Sequence, residues 1–303
     1  GFKFSFNGGV SVSQSEAIGT ANPLYGQYAV SGGSIGRSQS MYWSYTLQQI
    51  LTWNYTFNDV HNVDVMLGHE NNYDMGRSLS GYKNGHYSVD SSELTQGLKV
   101  SSTSSSFAEY NNEGYLARAQ YDYDEELFLS ASYRRDASSR FHHDYRWGDF
   151  WSVGGGWILN QESWFPRAPW IDMLKLKASI GSQGNDNIGD YLYTDMYSIT
   201  NSDGEIAIKR STIGNKEITW ETNTNFNAGF DFELLRGRLS GSAEYFYRLT
   251  SDMLYFVTIP ISYGFSGYYD NIGDMRNSGV EVSLNAVPVR TRNLEWDLNA
   301  NLT

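Results

Sequence analysis

The sequence contains no cysteine, which excludes a disulfide framework, cysteine-ligated zinc and thiol catalysis. Positive charge is short as well. Twenty-two Lys and Arg face 34 Asp and Glu, a formal net charge of −12, and this balance argues against a nucleic-acid partner, which needs a basic face. Long hydrophobic runs are missing. The longest, residues 254–261, is broken by Thr258 and Pro260 and falls far short of the roughly 18 residues of a membrane-spanning helix. Proline numbers only 5, and the hydrophobic share is 40%, below the about 45–50% of ordinary soluble domains. No Gly-x-x-x-x-Gly-Lys phosphate loop occurs. The expectation is therefore a protein that is not an enzyme, with no catalytic, cofactor-binding or metal residues, no cofactor, and no substrate-binding residue that can be named.

What is present is aromatic and alternating. Tyr (23), Phe (15) and Trp (9) make up 16% of the chain, too many for a disordered sequence. From Trp43 to Phe57 the odd positions read Trp43, Tyr45, Leu47, Gln49, Leu51, Trp53, Tyr55 and Phe57, while the even positions are mostly Ser, Thr, Gln and Asn. Successive strand side chains point to opposite faces, so this is a long strand with one apolar face. The same period recurs. Leu174, Leu176, Ala178 and Ile180 alternate with Lys175, Lys177 and Ser179. Phe226, Ala228, Phe230, Phe232 and Leu234 alternate with Asn and acidic residues, as do Leu294, Trp296, Leu298, Ala300 and Leu302. No segment carries a helical 3.6-residue stripe.

Eleven strands are expected, at 1–12, 41–57, 61–70, 113–122, 126–135, 149–160, 172–182, 218–234, 238–250, 276–287 and 293–303. The connections between them alternate long and short without a break. The long ones (13–40, 71–112, 136–148, 183–217, 251–275) are rich in Gly, Ser, Asn, Asp and Tyr, and the short ones are turns such as Tyr123-Asp124-Glu125 and Leu235-Arg236-Gly237. In an up-and-down meander this places every long loop at one end. That is the pattern of a transmembrane antiparallel β-barrel, with strands of about ten residues, short turns on one side and long loops on the other. Lipid offers no partner to a backbone N–H, so only helices or closed barrels cross it. The low mean hydropathy, −0.49, fits strands whose second face meets a wet lumen. Trp43, Tyr45, Tyr55, Trp151, Tyr245 and Tyr247 are expected near strand ends, at the membrane interfaces. Soluble sandwiches and lipocalin-like barrels also alternate, but their strands are typically about five or six residues long. A propeller would show a repeat of roughly 40–50 residues, which is missing.

From about Tyr115 onward the sequence resembles a known family. Leu127-Phe-Leu-Ser-Ala-Ser-Tyr-Arg-Arg-Asp136 is followed by Ser138-Ser139-Arg140-Phe141, Arg146-Trp147-Gly148, Ser152-Val153, Gly156-Trp157 and Glu162-Ser163. Next come Leu174-Lys175-Leu176-Lys177-Ala178-Ser179, Gly184-Asn185, Asn187-Ile188-Gly189-Asp190-Tyr191, Trp220-Glu221-Thr222 and Asn227 to Asp231. Arg238 to Ser242, Thr250 to Leu254, Asn271-Ile272-Gly273 and Asn277 to Glu281 complete the series. Their order and spacing resemble the SusC/RagA type of TonB-linked outer-membrane proteins. Residues 1–112 resemble it more weakly, through strand pattern. The resemblance implies about half, ~11 strands, of a ~22-stranded plugged barrel, the whole of 1–303 being part of one barrel domain. It implies an importer of glycan fragments or peptides in the cell outer membrane of a Gram-negative bacterium. It further implies a SusD-like surface lipoprotein as partner, energy from TonB through parts not in this sequence, outer-membrane lipid around the wall, and no nucleic acid. An odd number of strands cannot close alone, so a fragment is expected, with Gly1 not the natural start. The alternatives are a soluble or surface-exposed carbohydrate-binding β-protein and a passive porin.

Several polar groups invite a chemical reading. His142-His143-Asp144 is the one dense His/acid cluster; adjacent histidines are expected to point apart, so a solvated loop fits better than a metal site. Asn185-Asp186-Asn187 with Asp190 lacks the spacing of a calcium loop and reads as a turn. Glu125-Glu126 and Asp122/Asp124 read as charge beside a turn rather than as a catalytic pair. Gly154-Gly155-Gly156 reads as close packing within a strand. Arg134, Arg135, Arg140 and Arg146 are expected to pair with Asp136, Asp144 and Asp149 at the rim. Tyr73, Tyr82, Tyr87, Tyr110, Tyr191, Tyr193, Tyr197, Tyr263, Phe265, Tyr268 and Tyr269 are expected in loops, where flat rings suit sugars, peptides or a partner.

Overall fold

The computed structural model describes residues 1–303 except 87, 89, 91, 167 and 203. Its strands are β1 (Phe2–Ala21), β2 (Ser34–Phe57), β3 (His61–His86), β4 (Gly97–Tyr123), β5 (Leu127–Ser138), β6 (Trp147–Ile158), β7 (Ile171–Asn185), β8 (Met196–Ser202), β9 (Glu205–Thr212), β10 (Glu221–Leu234), β11 (Leu239–Ser251), β12 (Leu254–Thr258), β13 (Gly267–Asn271), β14 (Met275–Arg290) and β15 (Glu295–Leu302). Eleven of them form one sheet in the order β1-β2-β3-β4-β5-β6-β7-β10-β11-β14-β15. The described residues hold no α-helix, only short 3-10 turns. This is the all-β, antiparallel, up-and-down wall of a transmembrane barrel, and its eleven strands are those expected from the alternation.

The structure corrects the expected boundaries. Residues 13–40 and 71–112 are largely strand, since β1 runs on to Ala21, β2 starts at Ser34, β3 reaches His86 and β4 starts at Gly97. These extensions lack a strong apolar alternation, and backbone pairing together with hydroxyl pairs across the strands holds them instead: Ser78 Oγ lies 2.7 Å from Ser106 Oγ and Ser80 Oγ 3.0 Å from Ser104 Oγ. In consequence Tyr73, Tyr82 and Tyr110 sit on strands rather than in loops, and Trp43 and Tyr45 lie inside β2 rather than near its end. Tyr245 likewise sits mid-strand in β11. Tyr87 falls outside the described residues. The long connections also contain two hairpins that the alternation did not reveal, β8–β9 and β12–β13. The long–short rule fails once: connection 159–170 is longer than 139–146.

The chain divides into two compact units, Gly1–Ser5 with Gln49–His69 and Glu113–Thr303, and Phe6–Gln48 with Glu70–Asn112. In the second, Arg37 bridges Glu16 at 2.6 Å and Glu93 at 2.5 Å. Tyr45 stacks on Tyr73 and Trp43 meets both edge-on, with ring centroids 5.4–5.6 Å apart.

In the first unit, tight turns need left-handed backbone. Asn58 and Asp59, Asp124 and Glu125, and Leu235 and Arg236 all have positive φ, the conformation that matches the twist of a hairpin. The register between turns lines residues into rows. Leu127, Trp157, Leu176, Phe230, Ala243, Val282 and Leu302 oppose one another in series across seven strands. The neighbouring row, on the other face, reads Phe128, Gly156, Lys177, Gly229, Glu244 and Glu281. The apolar rows are uncovered: Leu176 is 43% exposed, Leu298 45% and Val280 54%. Among the described residues only Ile35, Ala137, Phe141, Phe150, Ile188, Leu192, Ile218 and Trp220 are buried hydrophobics, and none belongs to that row. A soluble sandwich would press its apolar faces together, whereas here they face outward, as lipid contact requires. Trp147 and Trp157 stand on this outer face, ten positions apart. That is about 34 Å along a strand, or roughly 26 Å at a 40° tilt, matching the ~25 Å apolar band between aromatic girdles.

Candidate functional site

Two groups of residues, both in the first unit, carry the polar chemistry. The first is the inner face of the wall. Lys177 Nζ lies 2.9 Å from Asp231 and 3.1 Å from Glu244. Gly229 stands between Lys177 and Glu244 in the register, so no side chain blocks their approach across β10. Lys175 lies over the Phe128 ring at 4.9 Å. Asn54 donates to Asp64 at 2.7 Å and Asn62 to Asp122 at 2.9 Å. Lys175, Lys177, Glu244, Phe128, Asn54, Asp64, Asn62 and Asp122 line a cavity of ≈ 700 Å³ together with Gly154, Gly155 and Gly156. The sequence placed these charges on the polar face, but register alone decides which of them meet. The glycine run keeps β6 low here, as expected from close packing, and the arrangement offers a mixed-charge surface.

The second group binds the long loops together. Phe141, Phe150, Ile188, Leu192, Ile218 and Trp220 form a buried cluster, with Tyr193, Met196, Leu254 and Tyr269 packed against it. Phe150 fits only because residues 148 and 184 are glycine; an added Cβ would come within 2.6 Å and 2.1 Å of its ring. Polar side chains staple the rim of the cluster. Ser138 donates to Asp186 at 2.6 Å, and the Arg140 guanidinium donates to Asp190 at 3.2 Å and to the Asp186 carbonyl at 3.1 Å. Trp220 Nε1 donates to the Arg146 carbonyl at 2.8 Å. Asn185 donates to Glu221, which accepts the Leu254 N–H on its other oxygen. Asn271 donates to the carbonyls of Thr219 and Asp252 and accepts the Thr219 N–H. The base of hairpin β8–β9 is held by Asp195, which pairs with Arg210 and accepts the Gly214 N–H at 3.0 Å; that backbone hydrogen bond above all keeps its carboxyl below the usual value. Beyond this base, Tyr197, Ile199, Ile206 and Ile208 are exposed.

The expected rim pairing appears in part. Arg134 meets Asp136 at 2.7 Å and Arg135 approaches Asp149 at 3.7 Å, but Arg140 reaches across to the turn at Asp186 and Asp190 instead. That turn therefore serves as the counter-charge of Arg140. The histidines correct an expectation: they converge, with ring centroids 4.0 Å apart, and both approach Asp144, at 3.4 and 3.1 Å. The turn closed by the Tyr145 N–H on the His142 carbonyl brings them to one side. Each of the three offers one ligand atom, and these atoms all lie within 4.8 Å of one another. Asp124 and Glu125 form a turn, and Asp122 accepts from Asn62, so these acids lie at and beside a turn. The loop core itself escaped the sequence reading, though its signal was present as isolated apolar residues (Phe141, Ile188, Leu192, Ile218) inside polar loops.

Known proteins share this architecture. The chain is 31% identical over 259 residues to the TonB-dependent receptor SusC of Bacteroides thetaiotaomicron, covering 80% of this chain and 25% of that receptor. It is 30% identical over 273 residues to a TonB-dependent receptor of Formosa agariphila, covering 86% of this chain and 26% of the receptor. The chain thus spans about a quarter of the length of these relatives. The RagAB peptide transporter superposes with a TM-score of 0.91 at 26% identity, over 99% of this chain and 34% of that one, and the same importer in an open-open state with 0.87. The family model described as TonB dependent receptor-like, beta-barrel matches residues 1–303. With its eleven-stranded wall and its rim of stapled loops, the chain belongs to the TonB-dependent receptor-like β-barrel family, and within it to the SusC/RagA type.

Proposed function

We propose that this chain forms wall strands and outer loops of an energised importer in the outer membrane of a Gram-negative bacterium. The importer would take up nutrient oligomers, glycan fragments or peptides, under a SusD-like surface lipoprotein and with energy from TonB. The observation that carries this reading is the superposition of 99% of the chain on RagAB, named a peptide transporter, at a TM-score of 0.91. The similar fit to the open-open form supports a wall that serves as the static frame while other parts move. The mixed-charge inner face suits the side of a wall that meets water and a plug.

The test uses the full-length receptor, expressed in a strain lacking it. Uptake of fluorescent oligosaccharides and of fluorescent peptides is measured with TonB present and with TonB deleted. Uptake of one class that vanishes without TonB is the expected result. Uptake that persists without TonB would establish a passive porin instead.

A further inference from the structure

Connection 159–170 is the exception to the long–short pattern, and its composition explains it. The other connections at its end of the strands, 58–60, 124–126, 235–238 and 291–294, are minimal turns. This one is long and carries Trp164, Phe165 and Trp170, with Trp164 59% and Trp170 52% exposed. In a soluble protein such rings would fold inward; here they are held out by specific contacts. The Asn160 side chain closes the base of the loop, donating to the Asp172 carbonyl at 3.0 Å and accepting the Leu174 N–H at 2.9 Å. A turn closed by the Phe165 N–H on the Glu162 carbonyl at 3.1 Å sets the direction of the aromatic pair.

That direction is toward the outer face of the wall. Trp157 belongs to the apolar row, opposite Leu127 and Leu176. Trp164 meets Trp157 edge-on with centroids 5.8 Å apart, and Phe165 meets Trp164 at 6.1 Å. Trp157 also donates its indole N–H to Glu162 at 2.9 Å. The loop thus continues the apolar row past the end of β6 while keeping a carboxylate and indole N–H groups beside it. Rings with an apolar body and a polar edge, flanked by charge, fit the headgroup–acyl boundary of a bilayer.

We propose that connection 159–170 is an interfacial anchor that seats Trp164 and Phe165 in the headgroup–acyl boundary of the leaflet at the turn end of the strands. Its occupant is lipid, because the patch is continuous with the lipid-facing row. The anchor would fix the height of β6 and β7 in the membrane, as the other, minimal turns cannot. It rests on the membrane-spanning fold and not on import.

The test places a bimane label at Ser163→Cys in the full-length receptor, in phosphatidylethanolamine–phosphatidylglycerol vesicles containing lipids brominated near the headgroup or deep in the chain. Leu176→Cys and Asn299→Cys serve as lipid-facing and lumen-facing controls. The label at 163 is expected to be quenched by the shallow bromines roughly twofold more than the lumen control, as for a group about 5–10 Å into the boundary. Adding Trp164→Ser should remove most of that quenching while the Leu176 label keeps its own. A label at 163 quenched no more than at 299, with Leu176 quenched, overturns the anchor alone. Absence of quenching at Leu176 overturns the lipid-facing assignment as well, and loss of TonB-dependent uptake with the quenching intact would leave the anchor standing.

Discussion

Leu176 and Lys177 are adjacent in sequence and opposite in environment. Leu176 lies between Trp157 and Phe230 on the uncovered face, and Lys177 is held between two carboxylates on the inner one. Arginine at Leu176 would have to bring its charge into lipid, at a cost of about 2–4 kcal/mol if the site is at the bilayer midplane. Asn299, opposite Asn285 on the inner face, meets water, so Asn299→Ser should cost much less, under about 0.5 kcal/mol. Urea unfolding of the full-length receptor in bilayers measures both, and equal losses on the two faces would contradict the assignment. The faces were legible in the alternation because a strand has a period of two. The pairing of Lys177 with Asp231 and Glu244 was not, because it depends on the register of three strands.

Among the elements, the long connections are better ordered than their composition suggests. Gly, Ser and Asn in 183–217 read as an open loop, yet a few apolar side chains from separate connections meet in one cluster around Trp220. Ser138, Arg140, Glu221 and Asn271, which carry part of the resemblance to SusC/RagA proteins, are staples of this cluster. Trp220→Ala would remove a ring packed on Phe141 and Phe150, a change worth about 3–5 kcal/mol in a well-packed core. The loss should fall on the loops and not on the wall. Limited proteolysis should then cut within 186–220 at rates that leave the native protein intact, while the barrel keeps its resistance to detergent; unchanged cleavage would show that the cluster does not hold the loops. Hairpins β8–β9 and β12–β13 went unseen because their strands are only five to eight residues long, too short for a periodic pattern to stand out inside polar connections.

Across the whole molecule, the two units differ in what stabilises them. The stretch Glu113–Thr303 has apolar rows for lipid and a buried loop core. The strands within Phe6–Gln48 and Glu70–Asn112 have a smaller apolar share, the buried Ile35 and the Trp43, Tyr45 and Tyr73 rings, and otherwise rest on backbone pairing, Ser–Ser contacts and the Arg37 ion pairs, which contribute little when exposed. Hydrogen exchange on the full-length receptor in bilayers should therefore protect amides of β5, β6, β7 and β10 longer than those of 6–21, 34–48, 70–86 and 97–112. Uniform protection would mean that the second unit has a stabilising partner surface in the intact protein. By itself the sequence determined the all-β class, the number of strands in the sheet, the two faces and the ends at which the turns lie, because each follows from local periodicity and turn chemistry. Only the tertiary structure decided how far the first four strands extend, which charges meet on the inner face, that the loops share a core, and that Trp164 meets the lipid-facing Trp157 edge-on. Those features join residues far apart in the chain or on neighbouring strands, and no local pattern encodes the register that brings them together.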